Sequence, residues 1–225
     1  SVDVGVVDID NPRVRVDLNS GPNQKKVKLE IKNYGTAVQN NVQLNYSVTP
    51  LCGTNAGISS IYSFSHTSSI TPGSTALAID NSNTVVWPIG TFEVQAWSSQ
   101  NGDNSTWNDS LYRKSAGWPE LYIQQGFTED FESCGSGNSS GFFGSGHLNL
   151  WEVDNINALN GQNGYASRPN QNVPGNVEEF MYFPRFIGFD TIAGAELRLT
   201  HDIDLGTGDQ ALIEWQGGGT WNTLG

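Results

Sequence analysis

The sequence predicts an all-β fold, and three observations lead there. Apolar residues recur at every second position in short runs, helical periodicity is almost absent, and Gly, Pro, Asn and Asp punctuate the runs from end to end. Alternation marks a strand because successive side chains leave a pleated backbone on opposite faces, so a half-buried strand reads apolar, polar, apolar. With 225 residues the chain is long enough for two such domains. The expected division is an immunoglobulin-like β-sandwich over 1–114, a linker over 115–126 and a jelly-roll-like domain over 127–225.

Residues 13–18 give the first run, with Val14, Val16 and Leu18 alternating against Arg13, Arg15 and Asp17. The pattern repeats over 26–32, where Val27, Leu29 and Ile31 face one way and three lysines with Glu30 the other. Asn33-Tyr34-Gly35-Thr36 reads as a turn whose glycine can take positive φ, and the next alternation is Val42, Leu44, Tyr46, Val48. The two runs are therefore expected to form a hairpin-like pair. Further strands are predicted over 59–65, 75–79 and 90–97, with Thr71-Pro72-Gly73-Ser74 as a turn before the second. About seven strands in roughly 110 residues is the number a sandwich needs.

Alternation stops at Ser115-Ala116-Gly117-Trp118-Pro119, which is where the domain boundary is placed. Beyond it, residues 127–132, 147–152, 179–183, 195–203 and 210–216 read as strands joined by long Asn- and Gly-rich loops. Long crossovers of this kind suit a jelly roll, whose strands change sheets. The closing segment from Gly217 to Gly225 reads as a glycine turn and the opening of another strand without a partner, so the second domain is expected to be incomplete.

Charge and composition narrow the function. Eleven basic against 23 acidic residues leave a net charge of -12 and a pI near 4.4, which disfavours nucleic acid because phosphate neutralisation needs clustered Lys and Arg. Hydrophobic residues make up 36% and aromatic residues 11%, enough for a packed interior. Charged residues are only 15%, against roughly 25% in an average soluble protein. The surface is thus expected to be polar without being ionic, a composition common in extracellular β-proteins. No apolar window is long enough for a membrane helix, and the first ten residues lack the basic and apolar regions of a signal peptide, so the chain is expected to begin inside a mature protein. Two cysteines, Cys52 and Cys134, offer no zinc spacing, and both a single bridge and two separately buried thiols stay open.

Ordered motifs carry a family resemblance across nearly the whole chain. In the first half they are Asp3-Val4-Gly5-Val6, the run from Val27 to Thr36 ending Lys32-Asn33-Tyr34-Gly35-Thr36, Tyr46-Ser47-Val48, Pro72-Gly73-Ser74, Gly90-Thr91-Phe92-Glu93-Val94, and the Asn/Asp-rich stretch from Gly102 to Leu111. Together these resemble the CARDB-like, immunoglobulin-type modules of secreted Bacteroidota proteins. In the second half, Glu129-Asp130-Phe131-Glu132, Trp151-Glu152, Asn157-Ala158 through Asn163, and Gly218-Gly219-Thr220-Trp221 are similar to modules of the MAM and cleaved-adhesin type. The last motif departs from its family in having Gly217 where Asp is usual. The resemblance implies export by the type IX route and an extracellular or cell-surface location. The C-terminal sorting domain of such cargo is absent, so the chain is expected to be part of something longer.

Candidate chemistry follows. Asp130 and Glu132, two apart on an expected strand, project from one face, an arrangement of hard oxygens suited to Ca²⁺. Asp154, Asn155, Asp202, Asp204 and Asp209 can complete the shell, and the resemblance likewise implies a structural calcium at the Glu129–Glu132 motif. The alternative is that these carboxylates are simply solvated. Gly137-Asn138-Ser139-Ser140-Gly141 matches a hydrolase nucleophile elbow in letters but lacks the strand before it and the helix after it, so Ser139 is read as loop. His66, His147 and His201 are too scattered for a catalytic zinc, and His201 reads as a core residue between Leu199 and Ile203. Gly206-Thr207-Gly208 reads as a hairpin, since a strand run follows it.

Seven tryptophans raise sugar stacking, for which Trp97, out of phase with Phe92, Val94 and Ala96, and Trp107, in a polar loop, are the candidates; packing against a neighbour is the other reading. Trp151, Trp215 and Trp221 are expected in the core. Asp109-Ser110-Leu111 and Asp190-Thr191-Ile192 fit the pattern used for periplasmic O-glycosylation in the bacterial group of the resemblance, which makes Ser110 and Thr191 candidate sites. The function expected is that of a non-catalytic structural or adhesive module of a larger surface protein. Its partners would be neighbouring modules, copies of itself or host and surface glycans, with no nucleic acid and no membrane insertion. An accessory region of an exported hydrolase such as a peptidase, and a carbohydrate-binding module, are the alternatives.

Overall fold

A computed structural model describes residues 1–13, 15–19, 25–51, 55–103, 105–118, 120–122, 143–146, 151–154, 164–167, 179–183, 185–187, 198–199, 201, 207, 210–217 and 220–223. They belong to two compact units, Ser1–Ala193 and Gly194–Gly225. The fold is all-β, as the alternation predicts.

Among the described residues of the first 118, eight strands build a sandwich-like body: β1 (Val4–Asn11), β2 (Arg15–Asp17), β3 (Lys28–Asn33), β4 (Val42–Pro50), β5 (Ser60–His66), β6 (Thr75–Ile79), β7 (Gly90–Ser98) and β8 (Ser110–Trp118). One sheet has three strands in the order β1-β3-β6, the other five in the order β2-β8-β7-β4-β5. All these neighbours run antiparallel except β2 and β8, which are parallel. Val4, Ile9, Leu29 and Ile31 of the small sheet and Val42, Leu44, Tyr46, Phe92, Val94 and Ala96 of the large one are fully buried in a single core. Burial of each of the Val, Leu, Ile and Phe side chains among them contributes roughly 1.5–3 kcal/mol. At one side of the body Arg113 of β8 pairs with Asp8 of β1, bridging the two sheets.

The predicted runs over 26–32 and 42–48 are both strands, but they do not form a hairpin. β3 pairs with β1 and β6, and β4 with β5 and β7, so the segment between them is a corner from one sheet to the other. Asn33 redirects the chain there. Its buried amide donates to Ile70 O at 2.8 Å and Ala37 O at 2.9 Å, while its Oδ1 accepts from Gly35 N at 2.9 Å. Nor does Gly35 serve by positive φ. A Cβ at Gly35 would lie 2.4 Å from Ser1 O, so the glycine answers a close approach of two backbones. By contrast, the turn at residues 71–74 is as read, with Gly73 at φ 78° and Ser74 N donating to Thr71 O at 3.1 Å.

Alternation fails at Ser115 for a reason other than the end of a strand. Ser115, Ala116 and Gly117 are all buried within β8, and a Cβ on Gly117 would collide with Pro88 O at 1.8 Å. Both faces of the strand are covered here, so the two-residue period disappears.

Further along the first unit, β9 (Glu120–Tyr122) runs parallel to β14 (Arg185–Ile187). Antiparallel pairs join β10 (Phe143–Gly146) to β13 (Glu179–Tyr182) and β11 (Trp151–Asp154) to β12 (Gly164–Ser167). Trp118 Nε1 donates to Phe183 O at 2.8 Å, tying the end of β8 to this part of the chain. In the second unit β15 (Glu214–Gly217) pairs with β16 (Thr220–Thr223), so the final strand does have a partner. Two expectations fail in this unit. Arg198, Leu199 and His201 lie outside any strand, with His201 exposed, and Trp215 is 50% exposed instead of core. Alternation reports a local period only; burial depends on a covering partner that one segment cannot reveal.

Candidate functional site

Alternation along β4, β5, β7 and β8 sends one set of side chains into the core and the other onto the outer face of the five-stranded sheet. Register then fixes which residues sit side by side. One row reads Ser63, Asn45, Trp97, Ser110, and the next Ile61, Ser47, Gln95, Tyr112. A third row brings Thr49, Glu93 and Lys114 together, so the acid stands directly opposite the base. Ile61 is 67% exposed and Tyr112 58%, whereas Trp97 is half-buried and Ser47 buried.

Polar groups on this face are already tied to one another. Ser63 Oγ donates to Asn45 Oδ1 at 2.7 Å, and Asn45 Nδ2 donates to Ser99 Oγ at 2.9 Å. Gln95 Nε2 donates to Tyr112 Oη at 2.8 Å, and Ser65 Oγ to Gln43 Oε1 at 2.9 Å. A fifth link joins the Thr49 and Ser59 hydroxyls at 2.7 Å. These bonds hold amides and hydroxyls in fixed positions, which lowers the rotamer entropy lost when something binds over them.

Trp97 and Ser110, read separately from the sequence, are thus brought together as direct cross-strand neighbours. Trp107 lies elsewhere. It belongs to a 3-10 turn, Thr106–Asn108, is 79% exposed, and stands 6.3 Å from the Tyr34 ring. It lines a shallow open recess of about 450 Å³ with Ser1, Val2, Asp3 and Gly102. Two residues on from Trp107, the carboxyl of Asp109 is pushed up by burial and by the charge of Asp103, with Ser98 opposing and Asp3 adding a smaller push.

Of the expected calcium ligands, Asp154 ends β11, where its backbone pairs with Gly164. Asp130, Glu132, Asn155, Asp202, Asp204 and Asp209 lie outside the described residues, as do Thr191, Ser139, His147, Cys52 and Cys134. Among the described residues no three metal-binding side chains gather, and no helix is long and apolar enough to cross a membrane.

Sequence reasoning missed Tyr112 and Gln95 as parts of the site. Gln95 was visible in the alternation of 90–97, but its place beside Tyr112 depends on the register of β7 against β8. Residues 110–114 show no apolar alternation, because Arg113 occupies an inward position where it meets Asp8. The signal that remained was Tyr112 two places from Ser110 in a segment flanked by the Asn/Asp-rich loop.

No protein-family model and no curated protein matches the chain. Among solved structures, the Pseudomonas fluorescens alkylpurine DNA glycosylase AlkC, bound to DNA containing an abasic site analog, aligns at 12% identity with a TM-score of 0.31. The alignment covers 52% of this chain and 31% of that one. A likeness of that size carries no argument about fold or function.

Proposed function

We propose that the chain is a non-catalytic contact module of an exported, multi-domain surface protein, and that it makes contact through the outer face of its five-stranded sheet. The observation that carries this reading is the face itself, where Trp97, Tyr112 and Ile61 stand among hydrogen-bonded Asn, Gln, Ser and Thr side chains. Tyr112 and Ile61 are exposed and Trp97 half-buried, and aromatic groups presented among polar ones are a mark of contact surfaces. Spacing and display suit a body with one continuous core, since a rigid scaffold holds such a face in shape. The low charged fraction and the motif resemblance support export, and a place among adhesive surface modules follows from the same resemblance. At the end of the sheet β5 offers a further route to a neighbouring copy by edge pairing.

Beads coated with the 225-residue chain test this reading on three surfaces: the chain itself, an immobilised polysaccharide and an extracellular-matrix protein. Adhesion well above that of uncoated beads on at least one surface is the expected result. Background adhesion on all three, with the coating shown to be folded by its circular dichroism, would overturn the reading.

A further inference from the structure

We propose that the ligand of this sheet face is an uncharged polysaccharide, lying across β4, β7 and β8 with its sugar rings against Trp97 and Tyr112. The inference rests on the reading of this face as the contact surface and adds the chemistry of what it contacts.

Three features argue for a neutral polyhydroxyl chain. The first is the placement of the rings. Trp97 stands directly opposite Ser110, so Tyr112 is its diagonal neighbour, a relation that separates residues by roughly 7–8 Å and their Cβ atoms by somewhat less. Two aromatic groups at that separation on one flat face can meet successive apolar faces of a sugar chain, through the same ring surfaces that pack against hydrocarbon in a core.

The second feature is the supply of hydrogen-bonding groups between and beside the rings. Gln95 uses one N–H on Tyr112, and Asn45 uses one on Ser99 while its carbonyl accepts from Ser63. By the donor inventory of a primary amide, each keeps a second N–H, and Gln95 keeps its carbonyl oxygen too. Hydroxyl-rich ligands match mixed donors and acceptors of this kind, held in place before binding.

Charge is the third. Glu93 and Lys114 face each other in register, so the rows sum to zero on a chain that carries -12 overall. An acidic polymer or a second copy of the chain would approach against the protein's own field, whereas an uncharged polymer meets no such barrier. A protein partner would also call for an apolar centre, and the centre of this face is Gln95 and the buried Ser47.

Affinity electrophoresis of the intact chain through gels containing hydroxyethyl cellulose, glucomannan, xyloglucan or dextran tests the proposal, with alginate as the charged control. Retardation by at least one uncharged polymer is expected, with little change when salt is raised, since no counterions are released. Trp97→Ala and Tyr112→Ala should each weaken it about tenfold or more at unchanged melting temperature, while Trp107→Ala leaves it intact. Should either sheet variant unfold, the milder Trp97→Phe, expected to retain partial binding, and Gln95→Ala, expected to lose several-fold, replace it. The proposal is overturned if no uncharged polymer retards the folded chain, if only alginate does, or if retardation is lost in Trp107→Ala and kept in the sheet variants. Bead adhesion to protein or to the chain itself, without retardation by any polysaccharide, would leave the contact reading standing and remove this one.

Discussion

At the scale of single residues, one described carboxylate is stabilised by its surroundings and another is disfavoured by them. Asp80 is 1% exposed, and burial alone would push its carboxyl up, but Tyr46 Oη donates to it at 2.7 Å and Asn83 and Ser82 add further bonds. The result is a carboxyl held below its ordinary value. Such a group gives stability at pH above its unfolded pKa, and that stability is lost as pH falls through the lower folded one. Tyr46→Phe removes one of these bonds, so it should cost about 1–3 kcal/mol at neutral pH and start acid unfolding at a higher pH. Urea denaturation between pH 7 and pH 2.5 measures both. Asp109 has the opposite sign: a carboxyl raised by burial and by Asp103 and Asp3 lowers stability once it ionises. Asp109→Asn should therefore raise the melting temperature at pH 7, with the gain shrinking as the pH falls through the range where Asp109 takes up its proton. An unchanged or lower melting temperature at pH 7 would contradict this. Neither environment was fully legible in the sequence: Ser82 and Asn83 are near neighbours of Asp80 but Tyr46 comes from β4, and Asp103 is six positions from Asp109 but Asp3 is over 100 away.

Elements were more legible than their connections. The limits of β6 are those the alternation gives, and β3, β4, β5 and β7 fall within two residues of it. Those strands have one face in the core and one outside, the situation that writes a two-residue period into a sequence. β1 and β8 are harder to see because Val4, Gly5 and Val6, like Ser115, Ala116 and Gly117, are consecutive buried residues. Glycines at these places mark close backbone contact, Gly5 with Asn108 of the 3-10 turn and Gly117 with Pro88 just before β7. Gly117→Ala should abolish folding or lower the melting temperature steeply, since the Pro88 carbonyl belongs to the backbone and cannot swing away. Gly73→Ala meets no atom within 4 Å and is strained only by its φ of 78°, so a loss of about 1–2 kcal/mol is expected. Chemical denaturation of the two variants side by side separates collision from backbone strain; equal losses would be inconsistent with this division.

For the molecule as a whole, composition already spoke of a polar, weakly charged surface around a β core, and the two sheets with their shared interior bear out the β part of that reading. Which residues meet on the outer face could not be read in advance. It depends on register between strands about 15 to 50 positions apart, so Trp97 and Trp107 looked equivalent as candidates although they occupy different parts of the body. Topology separates them, and the proposed contact rests on the face that carries Trp97. The measurement that tests it most directly is adhesion of beads coated with the wild-type chain or with the Trp97→Ser, Tyr112→Ser double variant, the two matched in melting temperature and coating density. Loss of most of the adhesion in the double variant is the predicted result, and equal adhesion of the two would show that contact is made elsewhere.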